Sequence, residues 1–359
     1  MRLLHHQCRR VRSASLTVIV LSLVAGLLPA TAFAHVRWFT PRGPYWDPEW
    51  QYLFSLPVLL AVVSALAVVA ALMIGQRVLG DPLWPRPPFL QGMEPSAPAI
   101  LGVQTAIALI YAATQLTLFV PNIELPRNLL GGAIAAVAIL AGFTFITGVL
   151  TRVGALLILA LFALAFVYGV WYEAIEQLFF VGIALYLVVV GRGVVRYQDD
   201  DELDRPPILD RLRPHALTIL RWSAGLSIII LGFTEKLLAP DLGVAFLHGY
   251  HHFNIPQELG IDWFTDRRFV YTAGIVEVTA GVALLSGYLP RVVILAIWIP
   301  FNLGIPFLPP TELIGHLPIL ATMYLLLVRG TEGIPPPEPA STPQRHVTTM
   351  SPDATGPTR

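Results

Sequence analysis

Apolar runs long enough to cross a bilayer recur along most of this sequence, and no other feature limits its fold so sharply. A hydrocarbon core about 30 Å thick needs roughly 20 apolar residues in a helix. Without water in that core, the backbone satisfies its own hydrogen bonds, so such runs fold as helices. Read this way, spans fall near 51–75, 98–120, 130–150, 153–171, 175–191, 217–238, 270–288, 292–308 and 312–328. Hydrophobic residues make up 55% of the 359 residues and charged residues only 13%. A soluble domain carries roughly a quarter charged residues. The expectation is an all-α polytopic membrane protein with nine transmembrane helices in its mature chain, embedded in a lipid bilayer. Formal net charge is zero, so nothing points to nucleic acid. The sequence has neither a dinucleotide fingerprint nor a P-loop, which argues against a nucleotide-driven transporter.

Residues 1–34 read as a secretory signal. Arg2, Arg9, Arg10 and Arg12 are basic, Leu16 to Leu28 is apolar, and Ala32-Phe33-Ala34 is a small-x-small cleavage site. An uncleaved anchor is the competing reading. Cleavage after Ala34 makes His35 the first residue and leaves no thiol, because Cys8 is the single cysteine. Disulfides and cysteine-ligated metal centres are then excluded. Segment 35–97 holds an aromatic, Pro-rich outer stretch, the first span and an inner connection. Two four-span blocks follow, 98–193 and 217–330, joined by a charged inner linker, 194–216. A Pro-rich, disordered tail is expected over 331–359. A cleaved signal puts the mature N-terminus outside. Arg77, Arg86, Arg152, Arg192, Arg196, Arg205, Arg211, Arg213, Arg291 and Arg329 then all fall inside, as the positive-inside rule expects. The C-terminus is cytoplasmic on this reading, and the membrane is a bacterial-type inner (plasma) membrane.

The two blocks read as copies. Ile100 to Asn122 aligns without gaps on Ile219 to Asp241, and Thr147 to Val153 matches Ser286 to Val292. Each copy has an even number of spans, so the copies are expected as parallel four-helix bundles about an axis along the membrane normal. Where the second copy has Glu235 and Lys236, the first has Leu116 and Thr117; opposite Glu277 lies Ala138. Lys236 is the chain's single lysine. Intramembrane charges usually face a bundle interior and pair with one another. The second copy is therefore expected to hold the site and the first to serve mainly as scaffold.

Arg221, Gly225, Gly232-Phe233-Thr234-Glu235-Lys236-Leu237, Phe246, Gly274-Ile275-Val276-Glu277, Gly281, Gly287 and Arg291 together resemble the DoxX family of four-helix membrane proteins. The resemblance covers about 217–329 and, more faintly, 98–193. It implies a four-helix fold and membership of a membrane redox complex, since the family includes a subunit of a thiosulfate:quinone oxidoreductase. Lys236 and Glu277 are the positions it carries over. This chain departs from the family pattern in its duplicated block and in its extra N-terminal span.

Four constellations could carry chemistry. Glu235, Lys236 and Glu277 form either a structural ion pair or a polar pocket for a quinone headgroup or a proton path. Glu312 and His316, at i and i+4, share one helix face. The loop histidines His248, His251 and His252 invite a metal reading, against that of a solvated interfacial segment. His35, once N-terminal, offers amine and imidazole as a chelate that suits copper, with His248, His251 and His252 expected on the same side. The leading reading is a membrane component of a periplasm-facing redox system, quinone-linked in its sharper form, with Lys236, Glu277, Glu235, Glu312 and His316 as its site and a membrane or periplasmic redox partner. The alternatives are a non-enzymatic protein that binds or delivers copper through His35 and the loop histidines, and a structural assembly factor. The residues fix no cofactor; quinone and copper are the candidates.

Overall fold

The structure is a computed structural model that describes residues 35–79, 92–192, 207–303 and 305–330. The expected signal 1–34 with Cys8, part of the inner connection, most of the linker 194–216 and the tail 331–359 lie outside the described residues. Nine helices occupy the expected spans: α1 Leu56–Leu79, α2 Ala97–Thr114, α3 Leu129–Thr147, α4 Thr151–Tyr168, α5 Leu178–Val190, α6 Ala216–Gly232, α7 Asp266–Ser286, α8 Pro290–Leu303 and α9 Pro310–Arg329. Among the described residues, seven helices are long and apolar enough to cross a membrane: α1 to α4, α6, α7 and α9. The chain is thus a multi-pass helical protein suited to a bilayer.

The other two helices fall short of the expectation. α5 has 13 residues because the chain breaks at Gly169 and Val170, makes a separate short helix Trp171–Glu176, and pauses at Gln177. α8 has 14 residues and is followed by a short 3-10 turn, Ile305–Phe307, that contains Pro306. The described residues are helical as the all-α expectation has it, apart from one small local hairpin. The span placed at 98–120 stops at Thr114, and its end folds into a small antiparallel hairpin, Thr117–Leu118 with Val120–Glu124. Leu116 and Phe119 take positive φ of 54° and 66° there, which ends any helical path.

The sequence repeat is matched by repeated local contacts. Val149 N–H donates to Thr147 Oγ1 and Tyr288 N–H to Ser286 Oγ, each at 3.3 Å. Arg152 Nε donates to the Val188 carbonyl and Arg291 Nε to the Leu327 carbonyl, each at 3.0 Å. Gly148 and Gly287 both have positive φ, 79° and 73°, as helix-ending glycines do. A Cβ on Gly142 would come within 2.8 Å of Ile110, and one on Gly281 within 2.6 Å of Ile229, the aligned residue. Both positions therefore need glycine for the same close helix crossing.

Neighbouring helices pack in an orderly way. α2 lies on α3, α3 on α4 and α4 on α5; α6 lies on α7, α7 on α8 and α8 on α9. Two further contacts, α5 with α6 and α9 with α2, join the copies and are equivalent under the repeat. α1 packs on α7 and leaves Leu59, Leu60, Val63 and Leu66 exposed. An apolar stripe of that kind suits contact with lipid chains.

Candidate functional site

The polar centre begins where α6 loses its regular turn. Phe233–Leu237 is a π-helical turn, and Leu238 N–H donates to the Phe233 carbonyl at 2.8 Å. Such single turns redirect side chains and are frequent at functional sites. Here the turn brings Thr234, Glu235 and Lys236 into the protein, all buried. Lys236 Nζ lies 2.9 Å from Glu277 Oε1 of α7 and 3.8 Å from Glu235 Oε2. Two glycines allow the approach. A Cβ on Gly232 would sit 3.1 Å from the Glu277 Cβ, and one on Gly274 would sit 3.0 Å from the Lys236 Cβ.

The segment before α1 inserts into this centre. Val36–Phe39 is a short helix; Val36, Arg37 and the preceding His35 are buried. Val36 N–H donates to Glu235 Oε2 at 3.1 Å, and His35 N–H donates to Glu312 Oε1 at 3.4 Å. The Arg37 guanidinium donates to Glu176 Oε1 and, at 3.0 Å each, to the carbonyls of Trp46 and Thr234. It also lies 3.8 Å from Glu235 Oε1, 4.7 Å from the Tyr172 ring centroid and 5.7 Å from that of Trp46. Thr234 Oγ1 donates to the same Glu176 oxygen at 2.6 Å. Trp38 stacks on the His35 ring at 3.9 Å and rests on Gly315, where an added Cβ would lie 2.3 Å from the indole. Gly315 thus makes room for the inserted segment.

Glu312 and His316 complete the cluster from α9. Glu312 Oε1 is 3.4 Å from His316 Nε2, and the His35 and His316 ring centroids are 5.1 Å apart. Burial holds the His35 imidazole well below the usual histidine range, and the charges of His316 and Lys236 push the same way. A cavity of about 30 Å³ lies against His35, Glu235, Lys236, Glu277, Ser227 and Ile319, room for a water or a small ion. Four buried carboxylates, those of Glu176, Glu235, Glu277 and Glu312, face two fixed cations, Arg37 and Lys236. Among the described residues, two acids of the cluster are left without a fixed cation. An uncompensated buried charge costs several kcal/mol, so such a site takes up protons or a cation. Among the described residues, Glu277 Oε2 and Glu312 Oε2 find no hydrogen-bond partner and are buried.

The structure brings together Lys236, Glu277, Glu235, Glu312, His316 and His35. The loop histidines stand apart. His248, His251 and His252 are exposed. The His251 and His252 rings meet edge to face at 5.9 Å, and His252 also lies against Phe307. The loop helix Pro240–Gly249 does reach the N-terminal segment, through Phe246 and Tyr250 against Phe39 rather than through histidines. Among the described residues, no group of three or more His, Cys, Asp or Glu side chains is placed to hold a metal ion.

Sequence reasoning missed Arg37, Thr234, Trp38, Gly315 and Glu176. The first copy is more than scaffold, because Glu176, in the short helix before α5, crosses to Arg37 and to Thr234 of the second copy. No sharp signal marked these residues: Arg37 lies among aromatics in a segment that also holds Arg42, Asp47 and Glu49, and Glu176 is one acid at the edge of an apolar span. The chain has no match among family models, curated proteins or solved structures. Fold and site define it as an integral membrane protein with a buried, acid-rich polar cluster.

Proposed function

We propose that this chain is a DoxX-like membrane component of a redox system, in which the buried cluster handles protons beside a quinone headgroup. In this reading the helices form two tandem four-helix bundles with α1 outside them, and the chain crosses the membrane nine times. The leader is cut after Ala34, the N-terminus lies outside, and the C-terminus is cytoplasmic. The cluster then sits in the outer half of the second bundle, facing a periplasmic or membrane partner that supplies electrons.

One observation carries the reading: the two acids in excess of fixed cations, gathered around a small cavity between helices. A purely structural network would more simply be balanced. Lys236 and Glu277 hold opposite charges across the α6–α7 crossing, where a proton gained by one changes the charge seen by the other. Copper delivery through the loop histidines draws no support from their exposed positions.

The test is purification in mild detergent, identification of co-purifying proteins and extraction of bound quinone. Glu277→Gln is expected to abolish quinone-dependent turnover by the assembled complex while the chain still accumulates as a folded membrane protein; Lys236→Ala is expected to do the same. If both variants fail to accumulate, the cluster is a structural brace and the redox reading falls.

A further inference from the structure

We propose that Ser227 seats a water molecule in the cavity beside Lys236, and that this water carries a proton between Glu277 and Glu235. The inference deepens the reading of the cluster as a proton-handling site and rests on it. Ser227 lines the cavity from α6, together with Glu235 and Lys236 of the π turn, Glu277 of α7 and His35 of the N-terminal segment. Phe179 N–H donates to Ser227 Oγ at 2.8 Å. That N–H belongs to the first turn of α5, where such groups have no acceptor within their own helix. A hydroxyl that accepts through its oxygen still has one proton to give. Ser223 and Thr234, nearby in the same run, donate to carbonyls of their own helix, those of Leu220 and Ile230. Among the described residues, Ser227 makes no such bond, which leaves its proton for the cavity.

The rest of a water's shell is in place. Lys236 Nζ lies 2.9 Å from Glu277 Oε1 and 3.8 Å from Glu235 Oε2, so the two acids flank one ammonium. Both are buried, and among the described residues Glu277 Oε2 and Glu235 Oε1 find no hydrogen-bond partner. A buried water needs about 10–15 Å³ of free space and roughly two to four polar partners. The cavity offers about 30 Å³. In the transfer, Glu277 gives its carboxyl proton to the water oxygen while the water gives one of its own to Glu235. One negative charge moves from Glu235 to Glu277, and Ser227 holds the water by donating to its oxygen. Opposite Ser227 the first copy has Ala108, as it has Leu116 and Ala138 opposite Glu235 and Glu277. Hydroxyl and acids therefore occur together in one copy and are replaced together in the other.

The test is infrared difference spectroscopy of the full chain in detergent, taken from high to low pH in ordinary and in heavy-oxygen water. Glu277→Gln and Glu235→Gln assign the carboxyl band among the buried acids, whose other members, Glu312 and Glu176, face His316 and Arg37. The expected result is a carboxyl band that both variants remove or shift. It titrates together with an O–H band that moves in heavy-oxygen water. Ser227→Val and Ser227→Thr match in shape and differ in the hydroxyl. Ser227→Val is expected to abolish the water band and shift the carboxyl band, and Ser227→Thr to keep both. A serine that only caps α5 would leave both bands unmoved. No titrating carboxyl band in the parent overturns the water site and the proton reading together. A titrating carboxyl band without the water band, or equal bands in the two Ser227 variants, overturns the water site alone. If neither Ser227 variant accumulates, the parent's response to heavy-oxygen water decides.

Discussion

Arg37 shows how much one side chain can organise. It lies within a helix of four residues, a length that has no stability of its own. Its guanidinium instead ties that helix to the Trp46 and Thr234 carbonyls and to Glu176. Lys236 does the same for the α6–α7 crossing through Glu277. Removing one partner of a buried pair leaves an uncompensated charge, which costs about 3–5 kcal/mol. Lys236→Met is therefore expected to lower unfolding free energy by about that amount, with Lys236→Met/Glu277→Leu losing less than the single variant. Reversible unfolding in mixed micelles reads both. A double variant that loses more than the sum of the singles would contradict the pairing. At this scale the sequence was legible in part. A lone lysine beside a glutamate marks itself by its cost in lipid, so Lys236, Glu235 and Glu277 could be named. Arg37 could not, since an arginine near a span end ordinarily reaches water or headgroups.

At the level of elements, two departures from regular helix build the site. The π turn Phe233–Leu237 carries the charges inward, and the short break around Gln177 brings Glu176 to the end of its helix. The length of the apolar runs located the helices but is blind to both departures, because neither breaks the run. The glycines were easier to see than to interpret. Gly274 permits α6 to approach α7, and Gly315 admits Trp38. Gly315→Leu is expected to expel Trp38 and free the N-terminal segment, seen as faster protease cleavage between residues 38 and 50, while the helices stay intact. Gly249→Leu, at a position with open space around it, is expected to leave cleavage unchanged. Equal cleavage in both variants and the parent would show that Trp38 is not seated on α9.

For the whole molecule, the repeat explains why nearly one plan serves two halves with different contents. The same glycine crossings and arginine-to-carbonyl contacts recur in both copies, and the copies meet through the equivalent pairs α5–α6 and α9–α2. The long helices and the repeat were visible in sequence because both depend on composition and spacing. The docking of residues 35–47 was not, since it depends on contacts nearly 280 positions apart, such as His35 with Glu312. One candidate span, α6, separates Arg211 from Gly249, so the proposed topology puts them on opposite faces. Single cysteines there are expected to react with an impermeant maleimide from opposite sides of sealed vesicles; labelling from one side would contradict that topology.

The central claim is that the N-terminal segment is a built-in part of the polar cluster, held across the two copies by Arg37 and Glu176. A double-mutant cycle on unfolding free energy, with Arg37→Met and Glu176→Gln alone and together, tests it most directly. The expected coupling is about 2 kcal/mol or more, with the double variant less destabilised than the sum of the singles. Two neutral single variants and a coupling near zero would mean that the segment lies elsewhere and that the cluster stands without it.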